Sequence, residues 1–377
     1  MRFKSDLSKG VLGKPDPEGL WEEIISHIPD SVLLKDGVKI LCVAAGHGTE
    51  ARILTRRMRS LGRTPEEIKD SIYLIDKYMM FTKPLMRLGF RNVIQCDFLK
   101  WETDMKFDVV VGNPPYSGSQ ALHQQFFVKA CEQLEDGGEL MFIQPAVPYV
   151  NNKDVRRKKP EVQMIELVEK YETHVNVITK KLFDNAAIAT GLAITHLTKT
   201  PGSTAVQYED GSTYKDVAID EINTLGFEPK LYAKLTAKFA KLVESRGSIN
   251  DVVFCKEDQL KLRLTKFSDS DPKSHDFCTF ISRNTKNWDS TKDFGVPLKH
   301  EGQRLNVVSY LKTYVARFAL ALLKINLNQH RGELALVPLV DFDRSWNDEK
   351  LCKEFGITDD EYAVIRSIIP TYYEDVQ

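Results

Sequence analysis

The chain has 377 residues, too long for one ordinary compact module, and with 42% hydrophobic and 28% charged residues it can bury a real core, which excludes disordered and collagen-like classes. Its longest apolar runs, such as Phe318 to Leu323, fall far short of the roughly 20 residues that a membrane helix needs, and no apolar run follows the first charges as a secretory signal would. Six cysteines that never come closer than 23 residues offer neither a CxxC metal pair nor a disulfide framework, so a reduced cytoplasmic protein without metal or membrane is expected.

In chain order, the first half alternates strand-like and helix-like stretches. Val38 to Ala44 is a short apolar run that ends in Gly46-His47-Gly48, and a helical pattern follows through about Ser60. Ile72-Tyr73-Leu74-Ile75 ends at Asp76, and a second helical stretch runs to Gly89. Val93-Ile94-Gln95-Cys96 ends at Asp97. Phe107 to Val111 ends at Gly112-Asn113-Pro114-Pro115-Tyr116, before a helix from about Gln120 to Leu134. Gly137-Gly138 turns the chain into a strand at Glu139 to Ile143, and Ala187 to Thr198 has the composition of another. Near-continuous apolar strands between helices predict a doubly wound, mostly parallel α/β sheet covered on both faces. Ligands in such sheets bind at the carboxyl ends of the strands, and here each of those ends carries a Gly, Asp or Asn.

The second half loses this rhythm. Pro201-Gly202-Ser203 suggests a boundary, giving domains 1–199 and 200–377, the second of mixed α+β composition with helices expected at 229–245 and 304–326. Leu231 to Val340 holds 18 Lys+Arg against 11 Asp+Glu, a balance of +7 within a chain that totals −1, and Lys153, Arg156, Arg157, Lys158 and Lys159 form a second basic cluster. Such segments suit phosphate contacts, and equally a solvated surface.

Asn113-Pro114-Pro115-Tyr116 is the sharpest signal. Two prolines remove two backbone donors and fix φ near −65°, so the loop is stiff and presents carbonyl oxygens. The Asn113 side-chain oxygen and the Pro114 carbonyl can both accept from one planar NH2 group, while the Tyr116 ring stacks on the ring that bears it. Holding both amino hydrogens aims the nitrogen lone pair at an electrophile, by positioning and electrostatics and without a strong base.

With these motifs the chain resembles an S-adenosylmethionine-dependent N6-adenine DNA methyltransferase of the gamma motif order, of the kind found in restriction–modification systems. The resemblance covers residues 1 to about 199 and extends loosely through Val337-Pro338-Leu339-Val340-Asp341-Phe342. It implies a Rossmann-like methyltransferase sheet with a C-terminal target recognition domain. S-adenosylmethionine is the implied cofactor and double-stranded DNA the implied partner, inside a bacterial cell and encoded by host or phage. Ala44, Ala45, Gly46, His47 and Gly48 resemble the glycine turn under the methionine part of the cofactor. Asp76 resembles the acceptor of the ribose hydroxyls, and Asp97 with Phe98 the pair that takes the cofactor's adenine. Asn113, Pro114, Pro115 and Tyr116 correspond to the catalytic motif, and Phe183 to a second aromatic that stacks with Tyr116 on an extruded target base. Gly13 to Leu20 resembles the N-terminal motif weakly, with Lys14-Pro15 in place of the usual Thr-Pro. The family's acidic residue before the glycine turn is replaced by Cys42, and Glu50 is the candidate substitute.

Taken singly, most of these residues have plainer readings. Asp76 and Asp97 fit helix N-caps, Phe183 a core position, and His47 a loop filler. Their shared order and spacing favour the functional reading. A methyltransferase acting on RNA guanine N2 or on protein glutamine is the second expectation, and a DNA-binding accessory subunit without activity the third. Arg263, Arg283, Lys286, Arg304 and Arg331 are the candidates for DNA contact in the basic half.

Overall fold

A computed structural model describes residues 16–116, 122–150, 159–179, 191–253, 261–267, 278–282, 293–324 and 331–371. The chain forms two compact units. The first comprises Met1–Tyr149, Lys153–Ile188 and Leu192–Ile219, and the second Asp220–Gln377 with Val150–Asn152 and Ala189–Gly191.

Among the described residues the first unit is built on nine strands: β1 (Ile40–Val43), β2 (Ile72–Asp76), β3 (Asn92–Gln95), β4 (Phe107–Gly112), β5 (Leu134–Pro145), β6 (Tyr171–Ile178), β7 (Leu192–Pro201), β8 (Thr204–Gln207) and β9 (Thr213–Tyr214). They lie in the order β3-β2-β1-β4-β5-β7-β6-β8-β9. Strands β3 through β5 pair in parallel, while β7 runs antiparallel between β5 and β6. This is a Rossmann-like α/β sheet, as the alternation of elements implied. Every residue of β1 and β4 is buried, which is why those strands read as continuous apolar runs.

Helices cover both faces. Trp21, Ile24 and Ile25 of α1 (Glu18–Ser26) recur at helical spacing and pack with Ile53, Leu54 and Met58 of α2 (Thr49–Ser60) on Ile40, Cys42, Val109, Val111, Met141 and Ile143. On the opposite face Phe127 of α4 (Leu122–Gln133) meets Phe142 edge-on, with ring centroids 6.1 Å apart. Between these, α3 (Met79–Arg87) follows β2, and α5 (Lys159–Lys170) leads into β6.

Three sequence expectations need correction. Strand β5 starts at Leu134 rather than Glu139 and runs straight through Gly137-Gly138; a register shift opposite Phe107 to Val109 absorbs the glycines. The strand expected at Ala187–Thr198 is Leu192–Pro201, with 180–190 outside the described residues. Pro201-Gly202-Ser203 is a turn within the first unit, not its end. It returns β7 into β8, which extends the sheet beside β6, so the unit closes at Ile219 instead of 199.

Among the described residues the second unit holds a three-stranded antiparallel sheet of β10 (Lys261–Phe267), β11 (Thr279–Ser282) and β12 (Asp293–Pro297), in the order β11-β10-β12. Its helices include α6 (Pro229–Arg246), α7 (Gln303–Lys312), α8 (Tyr314–Ala321), α9 (Asp348–Phe355) and α10 (Asp359–Ile368). The apolar stretch after 303 is a helix pair because Thr313 adopts an extended conformation between them and caps the Ala316 N–H of α8. Leu235, Phe239, Val307, Tyr310, Phe318, Val337 and Trp346 share one core, so the Val337-Pro338 segment is interior structure. No helix of the described residues is long and apolar enough to cross a membrane.

Candidate active site

The parallel register levels four strand ends at one edge of the sheet. Val43 stands beside Ile75 and Gly112, Asp76 beside Gln95, and Gly112 beside Phe142. Everything that follows those positions therefore emerges together: the Ala44–Gly48 turn, Asp76 itself, Asp97, and Asn113 to Tyr116.

In the turn, Ala44, Gly46 and Gly48 take φ values of 53°, 48° and 69°. Glycine adopts this left-handed backbone freely, whereas Ala44 does so at a cost of about 1–2 kcal/mol. A Cβ on Gly48, the N-cap of α2, would press on the Leu85 side chain. The turn is pinned from beneath: the Ala45 N–H donates to the Ile75 carbonyl at 3.1 Å and the Gly46 N–H to Asp76 Oδ2 at 2.9 Å. Asp76 Oδ1 accepts from the Tyr78 N–H at 2.8 Å. Burial pushes this carboxyl above its usual range, and the N–H donors of Tyr78, Gly46 and Lys77 pull it partly back. These three donors take three of the carboxylate's roughly four acceptor positions, and one stays available to a hydroxyl donor.

Cys42 and Glu50 lie under the turn. Glu50 is 5% exposed, and burial lifts its carboxyl to about 8, with the Asp16 and Asp76 charges adding to the rise against Arg52. Burial, and then the Glu50 charge, pushes the Cys42 thiol well up. Glu50 is thus an acidic group close enough for its charge to act on Cys42. His47 packs edge-on against Phe81 at 5.0 Å.

Asp97 caps the short 3₁₀ turn after it, accepting from the Leu99 N–H at 3.2 Å, and meets Lys77 Nζ at 3.3 Å. It is therefore an N-cap, the plainer of its two readings, while remaining at the strand edge. Phe98 departs from expectation. Its ring is 3% exposed and packs among Phe126 and Trp101, with Lys129 Nζ 5.5 Å above it, because the 3₁₀ turn rotates the side chain inward. Its face is taken by the protein, so only its backbone stands at the strand edge.

The Asn113 loop is held by side chains that sequence reasoning did not single out. Asn113 Nδ2 donates to both oxygens of Asp16, at 3.2 and 3.1 Å, and Asp16 Oδ2 also accepts from the Trp21 indole N–H at 3.1 Å. Tyr116 Oη donates to Asn113 Oδ1 at 2.5 Å and lies 3.3 Å from the Ile143 carbonyl of β5. Burial drives the Tyr116 phenol well above its ordinary value, so it stays protonated. Asp16 lies in the Gly13–Leu20 segment, and that weak motif was its only sequence signal. Taken together, the edge is a row of oxygen acceptors, Asp76, Asp97 and Asn113 Oδ1, beside a glycine turn. Such a row suits a ligand rich in hydroxyl and amino donors.

Phe183 and Lys14-Pro15 lie outside the described residues, as do Arg283, Lys286 and the side chains of Arg263 and Arg331. Arg304 is described in the second unit, and its guanidinium pairs with Glu301.

Among solved structures the chain is similar to a type I restriction-modification system methyltransferase subunit from Streptococcus thermophilus, at 16% identity and TM-score 0.40 over 52% of this chain and 47% of that one. The M protein of the type I restriction enzyme EcoKI aligns at 12% identity and TM-score 0.40, over 52% and 48%. A protein assigned as a class I S-adenosylmethionine-dependent methyltransferase from Listeria monocytogenes aligns at 13% and 0.40, over 52% and 66%. The alignments thus span about half to two thirds of these proteins. No curated protein sequence matches the chain. Residues 66–166, which carry Asp76, Asp97 and the Asn113-Pro114-Pro115-Tyr116 loop, match the model of the Eco57I restriction-modification methylase family, in agreement with the resemblance read from the sequence.

Proposed function

We propose that the protein transfers a methyl group from S-adenosylmethionine to the exocyclic N6 of adenine in double-stranded DNA. The observation that carries this reading is the Asn113 side chain, whose amide nitrogen is engaged by Asp16 and whose oxygen is turned toward Tyr116 at the strand edge. The residues present fit the cofactor: Asp76 retains an acceptor position for a ribose hydroxyl, Asp97 stands at the next strand end for an amino group, and the Gly46–Gly48 turn lets backbone approach the ligand. Glu50 would take the cofactor's ammonium in place of the family's acidic residue at Cys42. The cofactor supplies the electrophilic methyl carbon.

Within a duplex the adenine amine is out of reach, so the base must be extruded, at a cost of a few kcal/mol. Tyr116 and Phe183 would stack on it, each contributing about 1–3 kcal/mol by analogy with base–aromatic stacking elsewhere. Asn113 Oδ1 and the Pro114 carbonyl would accept the two amino hydrogens and hold the nitrogen in line with the methyl donor. The second unit, with its basic span 231–340, would supply phosphate contacts and base readout. Tritiated-methyl transfer should mark DNA and leave RNA and protein unlabelled. Asn113→Ala should abolish transfer and keep cofactor binding; full activity of that variant overturns the assignment.

A further inference from the structure

Asn113 poses a chemical problem that its loop does not solve. The two ends of an asparagine amide are nearly the same size and opposite in character: Oδ1 accepts, Nδ2 donates. For Asn113 to receive an amine's hydrogens its oxygen must face the reacting group, and a half-turn of the amide would present two N–H donors to a donor. Prolines stiffen the backbone and leave that half-turn open.

An acid 97 residues away in sequence closes it. Both Asp16 oxygens lie within hydrogen-bond distance of Asn113 Nδ2, and a carboxylate can only accept. The Asn113 oxygen turned toward it would face like charge with no proton between. Asp16 is itself held on both sides. Its Oδ2 takes the indole N–H of Trp21, a fully buried side chain in the core under the sheet. Pro17 follows it and restricts its backbone to extended conformations. On the far side of Asn113, the Tyr116 hydroxyl donates to Oδ1 and approaches the Ile143 carbonyl. Hydrogen bonds thus meet in a row from Trp21 through Asp16 and Asn113 to Tyr116, whose one proton goes to Asn113 Oδ1. Each of these links has a definite donor and acceptor, and the direction set at Asp16 agrees with the Tyr116 donation.

We propose that Asp16 is a positioning residue for methyl transfer: its carboxylate selects the rotamer of Asn113 that presents Oδ1 to the target amine. The claim rests on the function proposed above and deepens it. Asp16 touches no reacting atom; it acts through Asn113.

The test uses the full chain, with S-adenosylmethionine and duplex DNA. Asp16→Asn keeps shape and can still accept from Trp21, yet offers its own N–H to Asn113 and removes the preference. It should lower the single-turnover rate at saturating cofactor by about 10²-fold, the scale for a misplaced reactive group. Cofactor affinity should stay within about threefold and the melting temperature near that of the parent. Asn113→Asp alone sets two carboxylates face to face and should lose activity. The exchange Asp16→Asn with Asn113→Asp restores one donor between them and should recover at least tenfold over Asn113→Asp, a non-additivity that lost packing does not produce. A weakened cofactor affinity with a normal saturated rate would instead place Asp16 in the cofactor site and overturn the proposal, as would an exchange variant no better than Asn113→Asp alone. A readout free of substrate runs alongside: the side-chain amide protons of Asn113, followed by NMR, should shift downfield relative to Asp16→Asn. If the parent methylates no DNA, the functional reading falls while this signal still decides the Asp16–Asn113 link. Unchanged amide shifts sink the link itself.

Discussion

Gly112 and Val43 are in contact across the β1–β4 pair: a Cβ on residue 112 would lie 2.6 Å from Val43 Cγ2 and 2.7 Å from the Val43 carbonyl oxygen. The glycine turn begins one residue after Val43 and the proline loop one residue after Gly112, so this close approach sets the distance between them. Gly112→Ala must push the two strand ends apart. The expected cost is about 1–3 kcal/mol of stability, as for other over-packed interiors, with a larger loss of methyl transfer because Asn113 moves. Denaturant unfolding and single-turnover rates on one preparation check both. Unchanged transfer in a folded Gly112→Ala protein would show that the spacing is not critical.

His123, near the start of α4, is a buried imidazole with no hydrogen-bond partner for either ring nitrogen among the described residues. Burial lowers it to about 4, from 6.5 in an unfolded chain. The unfolded state therefore binds the extra proton between those values, and stability is lost as pH falls from about 6.5 toward 4, by about 1.4 kcal/mol for each unit traversed. His123→Leu removes both the unpaired nitrogens and this loss. It should stabilise the protein by about 1–3 kcal/mol at pH 7.5 and by more at pH 5. Melting curves at the two pH values give the comparison; a variant less stable than the parent at pH 5 would mean the imidazole has a partner.

Tyr116 combines two roles that substitution separates. Its hydroxyl donates to Asn113 Oδ1, and its ring is the proposed platform for the base. Since Asp16 still orients the amide in Tyr116→Phe, that change should lower the transfer rate by less than about tenfold and cost about 1 kcal/mol of stability. Tyr116→Ala removes the ring as well and should reduce kcat/KM for DNA by about 10–100-fold, matching one lost stacking contact. Equal effects of the two changes would assign the whole contribution to the hydroxyl.

The strand edge was legible because a covered parallel strand leaves a periodicity of its own. Four apolar runs, each ending in Gly, Asp or Asn, locate Val43, Asp76, Asp97 and Gly112 without any structure. Strand β6 was missed although Thr173, Val175 and Val177 point inward in alternation; Glu172, His174 and Asn176 between them give the segment the look of a loop. The inward turn of Phe98 depends on Phe126, which the sequence does not connect to it. Asp16 was hidden for a similar reason. A hydrogen bond across 97 residues leaves no local pattern, and what remains is an aspartate between two prolines.

Glu50 makes the most pH-sensitive prediction. Its carboxyl is held at about 8 in the folded protein against an ordinary 4.5, chiefly by burial. Between those values the native state keeps a proton that the unfolded state has released, so this group's contribution falls as pH rises through the window, at about 1.4 kcal/mol per unit at most. Glu50→Gln has no proton to lose and should gain in melting temperature over the parent at pH 8, with the gap narrowing toward pH 5. Binding of the cofactor should run the other way. If Glu50 receives its ammonium, the carboxyl must ionise to do so. Binding below pH 8 then releases a proton from Glu50, and affinity climbs with pH up to about 8. Calorimetry in two buffers of different ionisation enthalpy counts that proton directly, and Glu50→Gln should abolish the count while weakening binding. Equal affinity in parent and Glu50→Ala would leave the position vacated at Cys42 without a substitute, and the proton release would have to come from elsewhere.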